Sequence, residues 1–187
     1  MHRTQLLNAL RAYRTVFPEE AAMVERTCRF VTEHEDCFDR KLYPGHVTAS
    51  AWVVNPARDH VLMLHHKKLD MWLQPGGHAD GDPDVLNVVL KETSEETGLD
   101  PRHIRLVDDR IFDVDVHVVH PNAFDPRHLH FDIRFLVEVD DDIPIPGNDE
   151  SHQILWVPLN RVLSFNNLRS IYRMVQKTRR LRGRRVP

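Results

Sequence analysis

The sequence predicts a mixed α/β fold in which one central helix packs on a sheet. Three observations carry that expectation. Apolar residues fall at helical spacing before residue 35, alternating and continuous apolar runs follow residue 45, and one capped helical stretch at 83–97 stands among the strands. No internal repeat or low-complexity segment interrupts this order.

Each element has a local reason. Leu6, Leu7, Leu10, Tyr13 and Phe17 share one face of a helix over residues 4–17. Pro18 ends that helix, and Glu19 and Glu20 suit the positive end of a second helix running to about residue 34. The acidic stretch Glu33–Asp39 and then Tyr43-Pro44-Gly45 mark a boundary. Val47–Asn55 and Val61–His65 read as strands joined by a turn at 56–60, and Met71–Gln74 runs into the loop signal Pro75-Gly76-Gly77. In the helix over 83–97, Asp82 is the expected N-cap, Pro83 the first helical residue and Gly98 the stop. Residues 104–120 and 128–139 alternate as two half-buried strands around a loop at 121–127; Ile154–Val157 is a further strand, and 166–182 a last helix with a basic end.

Bulk properties narrow the function class. The 187 residues suffice for one buried core, and 41% hydrophobic with 28% charged residues is ordinary for a globular protein. A formal net charge of −3 argues against a bulk binder of polyanions, although the 13 histidines can add positive charge near neutral pH. Cys28 and Cys37 make neither a disulfide framework nor a zinc pattern, which points to a reducing compartment. The first 17 residues lack the apolar core of a signal peptide, and no stretch approaches the ~20 apolar residues of a membrane span. A cytoplasmic protein with no membrane partner is expected.

The stretch from Gly77 to Leu99, GHADGDPDVLNVVLKETSEETGL, carries the chemistry. On a helix Glu92, Glu95 and Glu96 stand at i, i+3 and i+4 and project from one face. Close carboxylates repel by up to ~4 kcal/mol per pair in a partly exposed site, a conflict that a hard divalent cation resolves. Glutamates near a helix end alone read as a solvated face. The preceding glycine loop, the cap and the terminal glycine at fixed distance reverse that reading.

This segment resembles the Nudix box, G-x5-E-x7-R-E-U-x-E-E-x-G-U with U bulky and aliphatic: Gly77, Glu92, Glu95, Glu96, Gly98 and Leu99 match it without insertion or deletion. Pro83, Lys91 and Thr93 depart from it, at the first glutamate, the arginine and the aliphatic position. The resemblance implies a Nudix-type α/β/α sandwich with a mixed central sheet over residues 45–163, preceded by an N-terminal helical extension at 1–44. Residues 164–187 are then the C-terminal helix and basic tail of the same domain. It also implies hydrolysis of a diphosphate linkage in a nucleoside diphosphate derivative, with magnesium, or manganese in its place, on Glu92, Glu95, Glu96 and the Gly76 carbonyl. Glu92, Glu95 and Glu96 are then the catalytic residues, and the cation activates the attacking water. One carboxylate then serves as general base, either Glu92 or Glu95; in several members of the family the base comes instead from a distant loop, for which Glu150 is the candidate here, set against an ordinary loop carboxylate.

Substrate contact is assigned to Gly77, His78, His130, Asp132 and Glu150. His128, His130 and Asp132 share a strand face, as do Asp113, Asp115 and His117, which reads as a second metal site, a substrate strip or the wet side of a sheet. His65, His66, Lys67 and Lys68 read as a solvated basic loop, Trp52 as core, and Trp72 as core or a base-stacking ring. The partner expected is a small phosphorylated molecule. The basic run 177–185 is read as a frayed helix end, with no nucleic-acid partner. The N-terminal helices have a face for their own domain or for a second copy, a homodimer. Two other functions compete: a ligand-sensing Nudix module that has lost catalysis, and a diphosphate isomerase, which would want a catalytic cysteine.

Overall fold

The computed structural model describes residues 2–121 and 125–182. The elements in chain order are α1 (Thr4–Ala12), α2 (Pro18–Glu33), β1 (Gly45–Val54), β2 (His60–His66), β3 (Met71–Leu73), β4 (Gly76–His78), α3 (Val85–Thr97), β5 (Arg105–Leu106), β6 (Asp113–Val119), β7 (His128–Glu138), β8 (Ser151–Pro158), α4 (Val162–Phe165) and α5 (Arg169–Arg182). Eight strands form one mixed sheet in the order β3-β2-β1-β7-β5, with β4 on β1, β6 on β7 and β8 on β2. This is the predicted α/β class with helices at the N-terminus. Among the described residues no helix is long and apolar enough to cross a membrane.

The chain divides into two compact units, Met1–Ser50 with Gly77–Val89 and Asp109–Phe135, and Ala51–Gly76 with Leu90–Asp108 and Leu136–Pro187. In the first, α2 packs on β6, and Phe30 stacks on Phe131 with ring centroids 3.9 Å apart. The buried Glu20 carboxylate accepts from the Tyr13 hydroxyl at 2.7 Å and the Val114 amide at 3.0 Å, so the N-terminal helices are tied to the sheet by a satisfied buried charge. In the second unit β8 lies antiparallel on β2 from Pro158 opposite His60 to Ser151 opposite His66. Trp52 is fully buried, and its indole N–H donates to the Thr178 hydroxyl at 2.9 Å. The expectation of a core Trp52 holds.

The first helix ends at Ala12 rather than at residue 17, β8 runs over Ser151–Pro158 rather than 154–157, and α5 begins at Arg169 rather than 166. Three further differences have a clear local reason. Helix α3 starts at Val85 because Asp84, not Asp82, caps it: its Oδ1 accepts from the amides of Leu86 at 3.1 Å and Asn87 at 3.3 Å. Asp82 instead accepts from the Asp84 amide at 2.9 Å, making the turn that leads into the cap. Gly76–His78 is a short strand rather than a loop, since β1 supplies its ladder partners. Residues 104–120 divide into β5 and β6, because alternation reports which face a side chain takes and is blind to where a ladder breaks. The tail beyond Arg182 and residues 122–124 of the 121–127 loop lie outside the described residues.

Gly98 ends α3 at a φ of +71°, where an added Cβ would meet the Gly147 carbonyl oxygen at 2.7 Å and Pro146 Cβ at 3.0 Å. The Gly98 amide donates to Ser94 and the Gly147 amide to Thr97, both at 2.8 Å, so the two backbones cannot separate without losing helix-end bonds. Gly98→Ala is expected to cost about 1–3 kcal/mol, measurable by chemical denaturation. An unchanged midpoint would show that the close approach is not held in solution.

Candidate active site

The glutamates of α3 take unequal positions in the second unit. Glu96 is buried, the Glu92 side chain is 15% exposed, and the Glu95 side chain is 59% exposed. The amide of Gly76 donates to Glu96 Oε2 at 2.7 Å and holds that carboxylate in place. Burial pushes the Glu96 acid up to about 7; the Gly76 bond opposes this, and the charges of Glu92 and Glu150 add to it. Lys91 replaces the arginine of the motif and stands 3.4 Å from Glu92 and 3.5 Å from Glu95. It keeps charge balance on the outer edge without a planar fork to orient either partner.

A second element closes the cluster. Ligand atoms of His66, Glu96 and Glu150 all lie within 4.8 Å of one another. Glu150 is placed by its loop: the Lys67 amide donates to the Glu150 carbonyl at 2.9 Å, and the Lys67 ammonium to the Asp149 carbonyl at 2.6 Å. The Glu150 amide donates to Asn148 Oδ1 at 3.0 Å, while the Asn148 amide group reaches the Glu95 carbonyl at 3.1 Å. Sequence reasoning placed His66 among solvated loop charges. It ends β2 instead, opposite Ser151, and only the β2–β8 register could have brought it to this site. A groove of about 310 Å³ in the same unit is lined by Asp70, Met71, Trp72, Phe165 and Leu168. Trp72 stacks on His65 with centroids 5.0 Å apart and meets the edge of Phe165 at 5.1 Å.

The other site candidates belong to the first unit. Gly77 and His78 are on β4, and His130 and Asp132 on β7. The β6–β7 register sets His117 opposite His130 and Asp115 opposite Asp132. Most of the shared polar face is not the wet side of a sheet: Asp113, Asp115, His128 and Asp132 are buried, while His117 at its end is exposed. Asp132 accepts from the Ser50 hydroxyl at 2.7 Å, the Thr48 hydroxyl at 3.1 Å and Arg134 Nε at 2.7 Å, and is enclosed by these partners. His78 and His130 face each other at 5.0 Å, and each lies near the ring of His46, a residue that sequence reading did not single out.

The donor set of the second unit fits a divalent cation. A buried carboxylate with an elevated pKa, pressed by two others, lacks positive charge, and carboxylate oxygens are what magnesium and manganese take.

A family model for the NUDIX domain matches residues 44–177. A search of curated proteins found no match. Among solved structures, the chain is similar to an Ap4A hydrolase binary complex from C. elegans, at 14% identity and a TM-score of 0.60, covering 73% of this chain and 97% of that one. It is similar to the E. coli dihydroneopterin triphosphate pyrophosphohydrolase at 14% identity and a TM-score of 0.57, covering 70% and 92%. It is also similar to a NUDIX family hydrolase from Clostridium perfringens at 20% identity and a TM-score of 0.53, covering 75% and 99%. At these identities the structures speak for the fold.

Proposed function

This chain belongs to the NUDIX domain family, and on that premise we propose that it is a diphosphate hydrolase that cleaves a nucleoside diphosphate derivative with a divalent cation held around Glu96. The observation that carries the reading is the convergence of Glu96, Glu150 and His66 beside Glu92 on the box helix. Magnesium or manganese bound there would supply charge neutralisation of the diphosphate and acidification of a water.

The protein's own residues do the rest. Glu92 and Glu96 hold the cation, Glu95 assists from the exposed edge, and the Gly76 amide fixes the Glu96 rotamer that presents its second oxygen. We place the Gly76 carbonyl as a further ligand. Glu150, fixed by Asn148 and Lys67, takes the proton of the attacking water on a carboxylate oxygen. The bond from water oxygen to phosphorus forms as the anhydride oxygen departs with its electron pair. We assign the groove beside Trp72 to the organic part of the substrate. The isomerase reading lacks its catalytic cysteine: Cys28 lies on α2 and Cys37 before β1, both outside the residues that the family model matches.

The test is release of phosphate or nucleotide from a panel of nucleotides, sugar nucleotides and dinucleoside polyphosphates, with magnesium and with chelator. Magnesium-dependent turnover of at least one is expected, with Glu150→Gln lowering kcat about 10²-fold, the size of a lost general base. No turnover with tight binding of one compound would instead establish a sensor module.

A further inference from the structure

A separate group of imidazoles gathers in the first unit, and its members come from three strands. His46 is on β1, His78 on β4, and His130 on β7. Ring nitrogens from these three residues lie within 4.8 Å of one another. His46 is 1% exposed, and neither of its ring nitrogens has a hydrogen-bond partner, although the Leu42 carbonyl lies close enough to favour an N–H on that side. A buried imidazole without a partner is costly, because water can no longer satisfy it.

Hydrogen bonding assigns the protons of the neighbouring rings. His128 Nδ1 lies 2.8 Å from the Pro126 carbonyl, which can only accept, so His128 carries its hydrogen there and offers a lone pair at Nε2. That lone pair is 3.3 Å from His130 Nε2, which therefore donates, leaving His130 Nδ1 as a lone pair. His117, at 5.4 Å from the His130 ring, is oriented by Asp115 at 3.2 Å. Ring nitrogens that converge this closely, with His46 fully enclosed, suit a cation that they can share rather than a phosphate. The nearby guanidinium of Arg40 is already taken by the Asp80 carboxylate, with Nη2 to Oδ2 at 2.7 Å.

We propose that His46, His78 and His130 form a binding site for one transition-metal ion of the zinc class, distinct in chemistry from the oxygen-rich cation site around Glu96. Three imidazoles select such an ion over magnesium, and the Leu42 carbonyl beside His46 and His128 beside His130 are placed as the outer partners that orient metal-binding histidines. His46, enclosed and otherwise unsatisfied, gains its missing partner when the ion enters.

The experiment uses the full chain, stripped with chelator, and cobalt(II) as the probe. With excess magnesium present to fill the carboxylate site, we expect uptake of one tightly held equivalent with visible d–d absorption, displaced by zinc. Affinity falls by about 100-fold or more in His78→Gln and His130→Gln, since a ligand matters at least as much as an outer partner. It is unchanged in Glu96→Gln, which separates this site from the hydrolytic one. In the unsubstituted protein zinc protects His78 and His130 from diethyl pyrocarbonate, a readout independent of how the variants fold. Cobalt uptake that survives both histidine substitutions, cobalt uptake lost with Glu96→Gln, or no uptake and no protection, would overturn the assignment.

Discussion

Glu96→Gln is expected to abolish nearly all hydrolysis while making the metal-free protein more stable above neutral pH. The two effects share one cause. Burial holds the Glu96 acid at about 7 in the folded chain, against 4.5 for an ordinary glutamate. A carboxylate with a raised folded pKa costs nothing below the unfolded value; its cost grows as pH climbs from 4.5 to 7 and is complete above that. At pH 8 the cost is on the order of 2–3 kcal/mol, and glutamine removes it while keeping an oxygen for the Gly76 amide. The same substitution removes the carboxylate that makes a cation welcome. Loss of several kcal/mol of charge stabilisation corresponds to about 10³-fold in kcat. Denaturation of the chelated proteins at pH 5 and pH 8, beside turnover with magnesium, measures both. A variant that is less stable at pH 8 would mean that Glu96 supports the fold rather than straining it.

Arg134→Met is expected to be the most damaging single change to the fold of the first unit. Arg134 is 3% exposed and stands between three buried carboxylates, with Nε 2.7 Å from Asp132 and its terminal nitrogens 3.3 Å from Asp113 and Asp115. Those charges hold the guanidinium protonated against the burial that opposes it. The group is satisfied throughout, since Ser50 and Thr48 also donate to Asp132. Breaking a buried ion network by deleting one sign leaves uncompensated charge and costs about 3–5 kcal/mol. Left with an excess of buried negative charge, the aspartates regain balance by taking protons, so the loss should shrink as pH falls from 8 to 5. Denaturant midpoints of the variant and the unsubstituted protein at both pH values test this. A pH-independent loss below about 1 kcal/mol would show that the network is not the support described.

What the sequence disclosed follows from the range of each signal. Periodicity, caps and glycine stops act within a turn or two, so α2, α3 and their ends near Pro18 and Gly98 were readable. The box glutamates were readable for the same reason, because i, i+3 and i+4 on one helix is a local relation. The β6–β7 pairing, which sets Asp115 opposite Asp132 and His117 opposite His130, is a long-range relation that no local pattern encodes. Asp132 accordingly looked available to a substrate, although Arg134 and Ser50 occupy it. His66 and His46 were missed in different ways. His66 sat in a basic run that reads as solvent, while His46 lay just outside the strand read at 47–55 and carried no local signal; strand register alone brings each to its neighbours. Asp84 shows the remaining kind of error: two acidic residues flank Pro83, and which of them caps α3 depends on backbone angles that composition does not reveal.

The central claim is that the carboxylates converging on Glu96 hold the divalent cation the reaction needs. Calorimetric titration of magnesium into the chelator-stripped protein at pH 8 tests it without knowledge of the substrate, and magnesium leaves the imidazole site of the first unit silent. Saturable binding is expected for the unsubstituted protein, weakened by at least about 100-fold in Glu96→Gln. Equal magnesium binding by both proteins would contradict the account.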